Sequence, residues 1–119
     1  MNINFKYNKE TELLEISSSE QKYESISLIS NWGWTSDRVI EDLEWLEQCR
    51  NGTFHTEDKQ DFFIVGFENS PGEIQVLNGD KAYVLDAYDF DKDPYLELTF
   101  DELKDFLEQM RDFLISVGQ

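Results

Sequence analysis

The sequence predicts an α+β domain, a mainly antiparallel β-sheet with two amphipathic helices packed on it. Three observations carry this. Short alternating apolar runs read as strands, and Asn78-Gly79 sits between two of them as a hairpin turn. Two longer stretches have helical periodicity, and the order strands, helix, strands, helix with adjacent hairpins favours antiparallel pairing. Apolar residues make up 39% of the chain and aromatics 14%, enough for one core, so residues 1–119 read as a single acidic domain.

The elements follow in order. Ile3, Phe5 and Tyr7 alternate with Asn4 and Lys6 as a strand. Asn8-Lys9-Glu10 is a turn, and Leu14 and Ile16 lie on the return strand. Ile26 and Leu28 alternate with Ser25 and Ser27, which favours a third strand over Tyr23–Ile29. The first helix is expected to cap at Ser36 and to end near Asn51-Gly52, with Val39, Leu43 and Leu46 on its apolar face. The continuous apolar run Phe62–Phe67 predicts a strand buried on both faces. Ile74 and Val76, then Tyr83 and Leu85, flank Asn78-Gly79, and Tyr95–Leu98 is a short strand. Thr99 and Glu102 form a capping box for the last helix, in which Leu103, Phe106, Leu107, Met110, Phe113, Leu114 and Val117 fill one arc before Gly118 ends it.

Charge is the outstanding bulk property. Asp and Glu number 26 against 10 Lys and Arg, a formal net charge of -16. Self-repulsion of that size opposes compaction, so the charge points to a basic partner and away from phosphate backbones and anionic lipid. Direct nucleic-acid binding and membrane binding are therefore not expected. The single Cys49 fits a reducing compartment, and no signal-peptide pattern or membrane-span length is present, so the expected location is cytoplasmic.

The acids are not spread evenly on the helices. Asp101, Asp105, Glu108 and Asp112 align opposite the apolar arc of the last helix. Asp37, Glu41 and Glu44 form a similar stripe on the first helix, with Asp42 and Glu47 added to it. A solvated helix face is the plain explanation, yet such faces usually mix signs, and like charges at i,i+4 cost a few tenths of a kcal/mol each. Asp86, Asp89, Asp91 and Asp93, with Tyr88 and Phe90 between them, form the densest acidic segment. It is either a connection between strands or part of an interaction patch. Its one-three-five Asp spacing suggests a calcium loop, but Pro94 replaces the required Gly and Phe100 the required Glu. Trp45 falls nearer the acidic stripe than the apolar arc. It and Trp32 and Trp34 either cap the core or offer an exposed anchor for guanidinium.

Catalytic signatures are absent. Cys49 and His55 are close in sequence, but acidic neighbours disfavour a thiolate, and no zinc spacing, P-loop, dinucleotide fingerprint or nucleophile elbow occurs. No enzyme activity, cofactor or metal is expected. A small, acidic, aromatic-rich and motif-free chain, with the strand–helix stretch Tyr95–Leu114, resembles the immunity proteins that bacteria carry beside polymorphic toxins, including those of contact-dependent growth inhibition. The resemblance implies a cytoplasmic protein that neutralises one cognate toxin, often a basic nuclease, by occluding its active or substrate-binding site. It supplies no motif residues, so the candidate partner-binding set comes from charge geometry: Asp37, Glu41, Glu44, Trp45, Asp86, Tyr88, Asp89, Asp91, Asp93, Asp105, Glu108 and Asp112. A DNA-mimic inhibitor of a nucleic-acid-binding protein would use the same electrostatics. A small-ligand or metal-binding domain, with Trp32, Trp34 or Tyr88 lining a pocket, is the alternative from another class.

Overall fold

A computed structural model describes all residues except Lys59 and Phe90. The fold is α+β, with two antiparallel sheets and three helical elements. The strands β1 (Ile3–Asn8), β2 (Leu13–Ser18) and β3 (Asn31–Trp32) form a small sheet in that order. The strands β4 (Phe62–Val65), β5 (Gly72–Leu77), β6 (Ala82–Asp86) and β7 (Leu96–Leu98) form a four-stranded meander. The two helices α1 (Ser36–Arg50) and α2 (Phe100–Ser116) pack against each other.

Several sequence expectations change. Tyr23–Ile29 is not a strand but belongs to a 3-10 helix, Gln21–Ile29. Its buried residues Tyr23, Ile26 and Ile29 recur every third position, the period of a 3-10 helix, and the Ser–Ile alternation masked that signal. The N-cap of α1 is Thr35 instead of Ser36, its hydroxyl accepting from the Arg38 N–H at 3.2 Å. The antiparallel strands form two sheets, because β2 pairs with β1 and β3 and none of the three joins the meander.

The C-terminal end of α1 and the N-terminal cap of α2 are as expected. Gly52 adopts φ +70° behind α1, and Thr53 N–H bonds the Gln48 carbonyl at 2.9 Å. Thr99 and Glu102 exchange both capping-box hydrogen bonds at 3.1 Å. The helices run antiparallel. The Ser36 N–H bonds the Gln119 carbonyl at one end, and Arg50 bonds Asp101 at 3.1 Å at the other.

The core lies on one face of the meander. Phe63, Val65, Ile74, Val76, Ala82, Val84 and Leu98 alternate inward with the helices' apolar arcs, and Leu14, Ile16 and Ile26 extend the same cluster. Phe5 of β1 stacks on Phe106 and Phe113, fastening the small sheet to α2. The opposite face of the meander carries Phe62, Ile64, Gln75, Leu77, Tyr83 and Leu85, all partly exposed. The run Phe62–Phe67 thus holds an edge strand, Phe62–Val65, that is buried on one side, a correction to the doubly buried strand expected from its composition.

Candidate functional site: the carboxylate surface and the β4 groove

The acidic stripes are where the wheel arithmetic places them, but they differ in what surrounds them. On α2, every member has a cation. Asp101 pairs with Arg50, Asp105 lies 4.0 Å from the N-terminal amine, and Glu108 and Asp112 both reach Arg111. On α1, Asp37, Glu41 and Glu44 are exposed and have no ion pair among the described residues. Glu47 is taken up by Arg50 and Lys104, which tie the two helices together.

Asp42 does not belong to that stripe. It turns inward and is only 3% exposed. Burial pushes its carboxyl up to about 7, with the Arg38 guanidinium opposing and Glu41 adding to the rise. Its Oδ2 has no hydrogen bond, and neither has the Nε of Arg38. Arg38 itself lies 3.9 Å from the Phe67 ring centroid and donates to the Gly66 carbonyl through Nη2.

In the acidic segment, Asp86 serves the loop from within. It accepts from the Tyr88 N–H at 2.8 Å and the Tyr95 hydroxyl at 3.1 Å, with Lys92 at 3.8 Å. The bond from the Tyr88 N–H, chiefly, holds its carboxyl below the usual range against the effect of burial. Asp89, Asp91 and Asp93 face solvent, and Tyr88 is 72% exposed. Phe90, expected to join this patch, lies outside the described residues.

The tryptophans divide. Trp34 is buried, donating to the Ile29 carbonyl at 2.9 Å. Trp32 is 53% exposed on the small sheet, paired with Leu13. Trp45 is half-buried, its ring edge-on to Phe54 and Phe63 at 5.9 and 5.6 Å. It therefore caps the core, yet it also lines a groove of about 450 Å³ between α1, the connection after α1, and β4. Phe54, His55, Phe62, Phe63 and Ile64 are its other principal walls, and Glu57 stands on its rim. The sequence reading missed this groove, because its walls come from three separate stretches. The repeated aromatics Phe54, Phe62 and Phe63 were the available signal.

Cys49 and His55 make no chemical pair. Cys49 is buried, with Sγ 3.9 Å from the Val76 carbonyl, and burial, aided by Asp61, pushes its thiol up to about 11. His55 is exposed, with Nδ1 3.2 Å from the Thr53 carbonyl. Among the described residues no group of three His, Cys, Asp or Glu is arranged to hold a metal, and no helix is long and apolar enough to cross a membrane. Trp32, Trp34 and Tyr88 line neither the β4 groove nor the clefts beside β1–β2 and beside Tyr95. Comparison with protein-family models, curated proteins and solved structures returned no match.

Proposed function

We propose that this protein is an immunity-type inhibitor that binds a basic toxin domain and covers its active or substrate-binding site, acting by binding and not by catalysis. The observation that carries this reading is the asymmetry of its ion pairs. Lys22, Arg50, Lys81, Lys92, Lys104 and Arg111 are engaged by carboxylates, Arg38 is held among rings and a carbonyl, and only Lys6 and Lys9, both at the β1 end of the small sheet, have no carboxylate within 4 Å among the described residues. Meanwhile Asp37, Glu41, Glu44, Asp89, Asp91 and Asp93 have no cation within 4 Å among the described residues. The cations thus compensate the carboxylates that the fold uses, and the remainder is a field that attracts a positive surface. Such a field raises association rates roughly ten- to a thousandfold at low salt.

The pairing on α2 weighs against a DNA mimic, which needs an uninterrupted array of free carboxylates. Arg111 and Arg50 interrupt that stripe. The test is co-expression with a basic domain encoded beside this chain. Rescue of growth, co-purification, and a complex that weakens with salt are the expected results. Reversing Glu41 and Glu44, or Asp89 and Asp91, to Lys should weaken the complex more than reversing Asp105 and Glu108. Absence of both rescue and complex overturns the proposal.

A further inference from the structure

Among the described residues the β4 strand is an unpaired edge. The order of the meander leaves one side of it free. The Asn78 N–H bonds the Asp61 carbonyl at 3.0 Å, and the register pairs Phe63 with Val76 and Val65 with Ile74. Antiparallel alternation therefore turns the backbone N–H and C=O of Phe62 and Ile64 away from β5, toward the free side. Gly66 continues that series, and its carbonyl is already taken by Arg38. The free edge is thus two residues long and closed at one end by a cation.

The groove runs along this same edge. Its floor is the ring cluster of Trp45, Phe54 and Phe63, and Phe62 and Ile64 stand beside it. Glu57 lines it, Asp58 and Asp61 are exposed in the same connection, and Glu41 lies one helical turn before Trp45. An unsatisfied strand edge, an aromatic hollow and an acidic rim together describe one ligand type. Exposed edges are sites for strand addition, where main-chain bonds give affinity and alternate side chains give specificity.

We propose that the β4 edge and its groove take an extended, basic segment of the partner as a fifth strand of the meander, seating an apolar or aromatic side chain on Trp45 while flanking Lys or Arg meet the acidic rim. This rests on the basic-partner reading above. A second copy of this chain is a poorer occupant, because each copy carries -16 and would oppose Glu57, Asp58 and Asp61 to their own kind.

The test uses the isotope-labelled full chain and three hexapeptides. One is Lys-Phe-Lys-Val-Lys-Phe, one has Glu in place of each Lys, and one is the Lys peptide N-methylated at every residue. The Lys peptide should shift the amides of Phe62 and Ile64 and change Trp45 fluorescence. The N-methylated and Glu peptides should each bind at least about tenfold more weakly, the loss expected for about two main-chain bonds or the charge complement. Ile64→Pro removes one outward N–H and leaves the β5 ladder intact, so it should weaken the Lys peptide by a similar factor. The methylated peptide keeps the test valid if that variant does not fold.

Equal binding of the methylated peptide overturns strand addition, and equal binding of the Glu peptide overturns the basic occupant. A concentration-dependent dimer abolished by Ile64→Pro assigns the edge to a second copy and overturns the proposal. Lys-peptide shifts centred on Tyr88–Asp93 overturn the edge site but leave the basic-partner reading standing. No salt-sensitive binding of the Lys peptide anywhere, with no complex on co-expression, overturns both.

Discussion

Replacing Asp42 by Asn should stabilise the protein above neutrality and leave it nearly unchanged in mild acid. The side chain is buried on α1 with Oδ2 unbonded, and no ion pair with Arg38 forms within 4 Å. The folded-state carboxyl titrates at about 7 against an ordinary 3.8. An acid with a raised folded-state pKa keeps its proton in the native state while the unfolded chain has lost it. Stability therefore falls as pH rises from about 4 to about 7, and the full penalty is present above 7. The interval corresponds to about 4 kcal/mol at pH 8, at about 1.4 kcal/mol for each pH unit. Asn removes the charge and puts an amide of similar size and polarity where the neutral carboxyl sits in acid, which leaves a net gain of about 3–4 kcal/mol at pH 8 and little change near pH 4.

Urea unfolding followed by tryptophan fluorescence reads this directly. With a slope of about 1–2 kcal/mol/M, the D42N midpoint should lie roughly 2 M higher than wild type at pH 8 and coincide with it near pH 4. The general repulsion of a chain at -16 affects both proteins alike, so the difference between their pH profiles isolates Asp42. A D42N protein that is less stable at pH 8 would refute the reasoning. It would mean that the carboxylate is ionised and that its attraction to Arg38 outweighs burial.

Gly72→Ala should cost about 1–3 kcal/mol by overpacking, because the new Cβ would sit 2.6 Å from Leu28 Cβ and 3.2 Å from the Leu85 carbonyl oxygen. Calorimetry should show the fall in Tm, and adding Leu28→Ala, which removes the Cδ1 at 3.1 Å but keeps the Cβ at 2.6 Å, should recover little of it; full recovery would place the clash on Cδ1 instead. Tyr23→Phe removes a hydrogen bond to Glu102 and should cost about 1–2 kcal/mol at pH 7. Burial alone would raise the Glu102 carboxyl, but the bonds from Tyr23, the Thr99 N–H and Lys22 outweigh it and hold the pKa at about 2. A lowered acid stabilises above 4.5 and loses that effect as pH falls toward 2, so the Tyr23→Phe deficit should shrink between those values in urea titrations. Cys49 should resist iodoacetamide at pH 8 in the native protein and react in urea; rapid native labelling would contradict its burial and raised pKa.

What could be read from the sequence was whatever local chemistry specifies. Thr99 and Glu102 announce a capping box that needs nothing beyond four residues, and the α2 arc follows from its period. The 3-10 helix was hidden because Ser25-Ile26-Ser27-Leu28 satisfies period two, while Tyr23, Ile26 and Ile29 satisfy period three, and only burial against β2 and the meander decides. The run Phe62–Phe67 misleads for a related reason. An apolar run reports that both faces tolerate apolar residues, not that both are covered. Asp42 is the hardest case. Its position at the margin of an acidic stripe gives no local sign that the helix turns it toward Arg38 and the sheet.

The ion pairs narrow what the net charge is for. Asp101 and Glu102 sit in the first turn of α2, and Arg50 in the last turn of α1, so each complements a helix dipole as well as its partner. Asp37 has the same reason on α1. Asp86 organises a loop, and Asp105, Glu108 and Asp112 are balanced locally. Glu41 and Glu44 have no such role. Their like charges at i,i+3 cost a few tenths of a kcal/mol in an isolated helix, and nothing in the described fold offsets it. Glu41 is one turn from Trp45, on the side of α1 that borders the groove and the open edge of β4. Two carboxylates that the fold leaves without a partner among the described residues thus lie on the side of α1 that borders one of the open strand edges. That coincidence is the strongest reason to look for the partner's contact at the β4 edge before the more densely acidic Asp89–Asp93 loop.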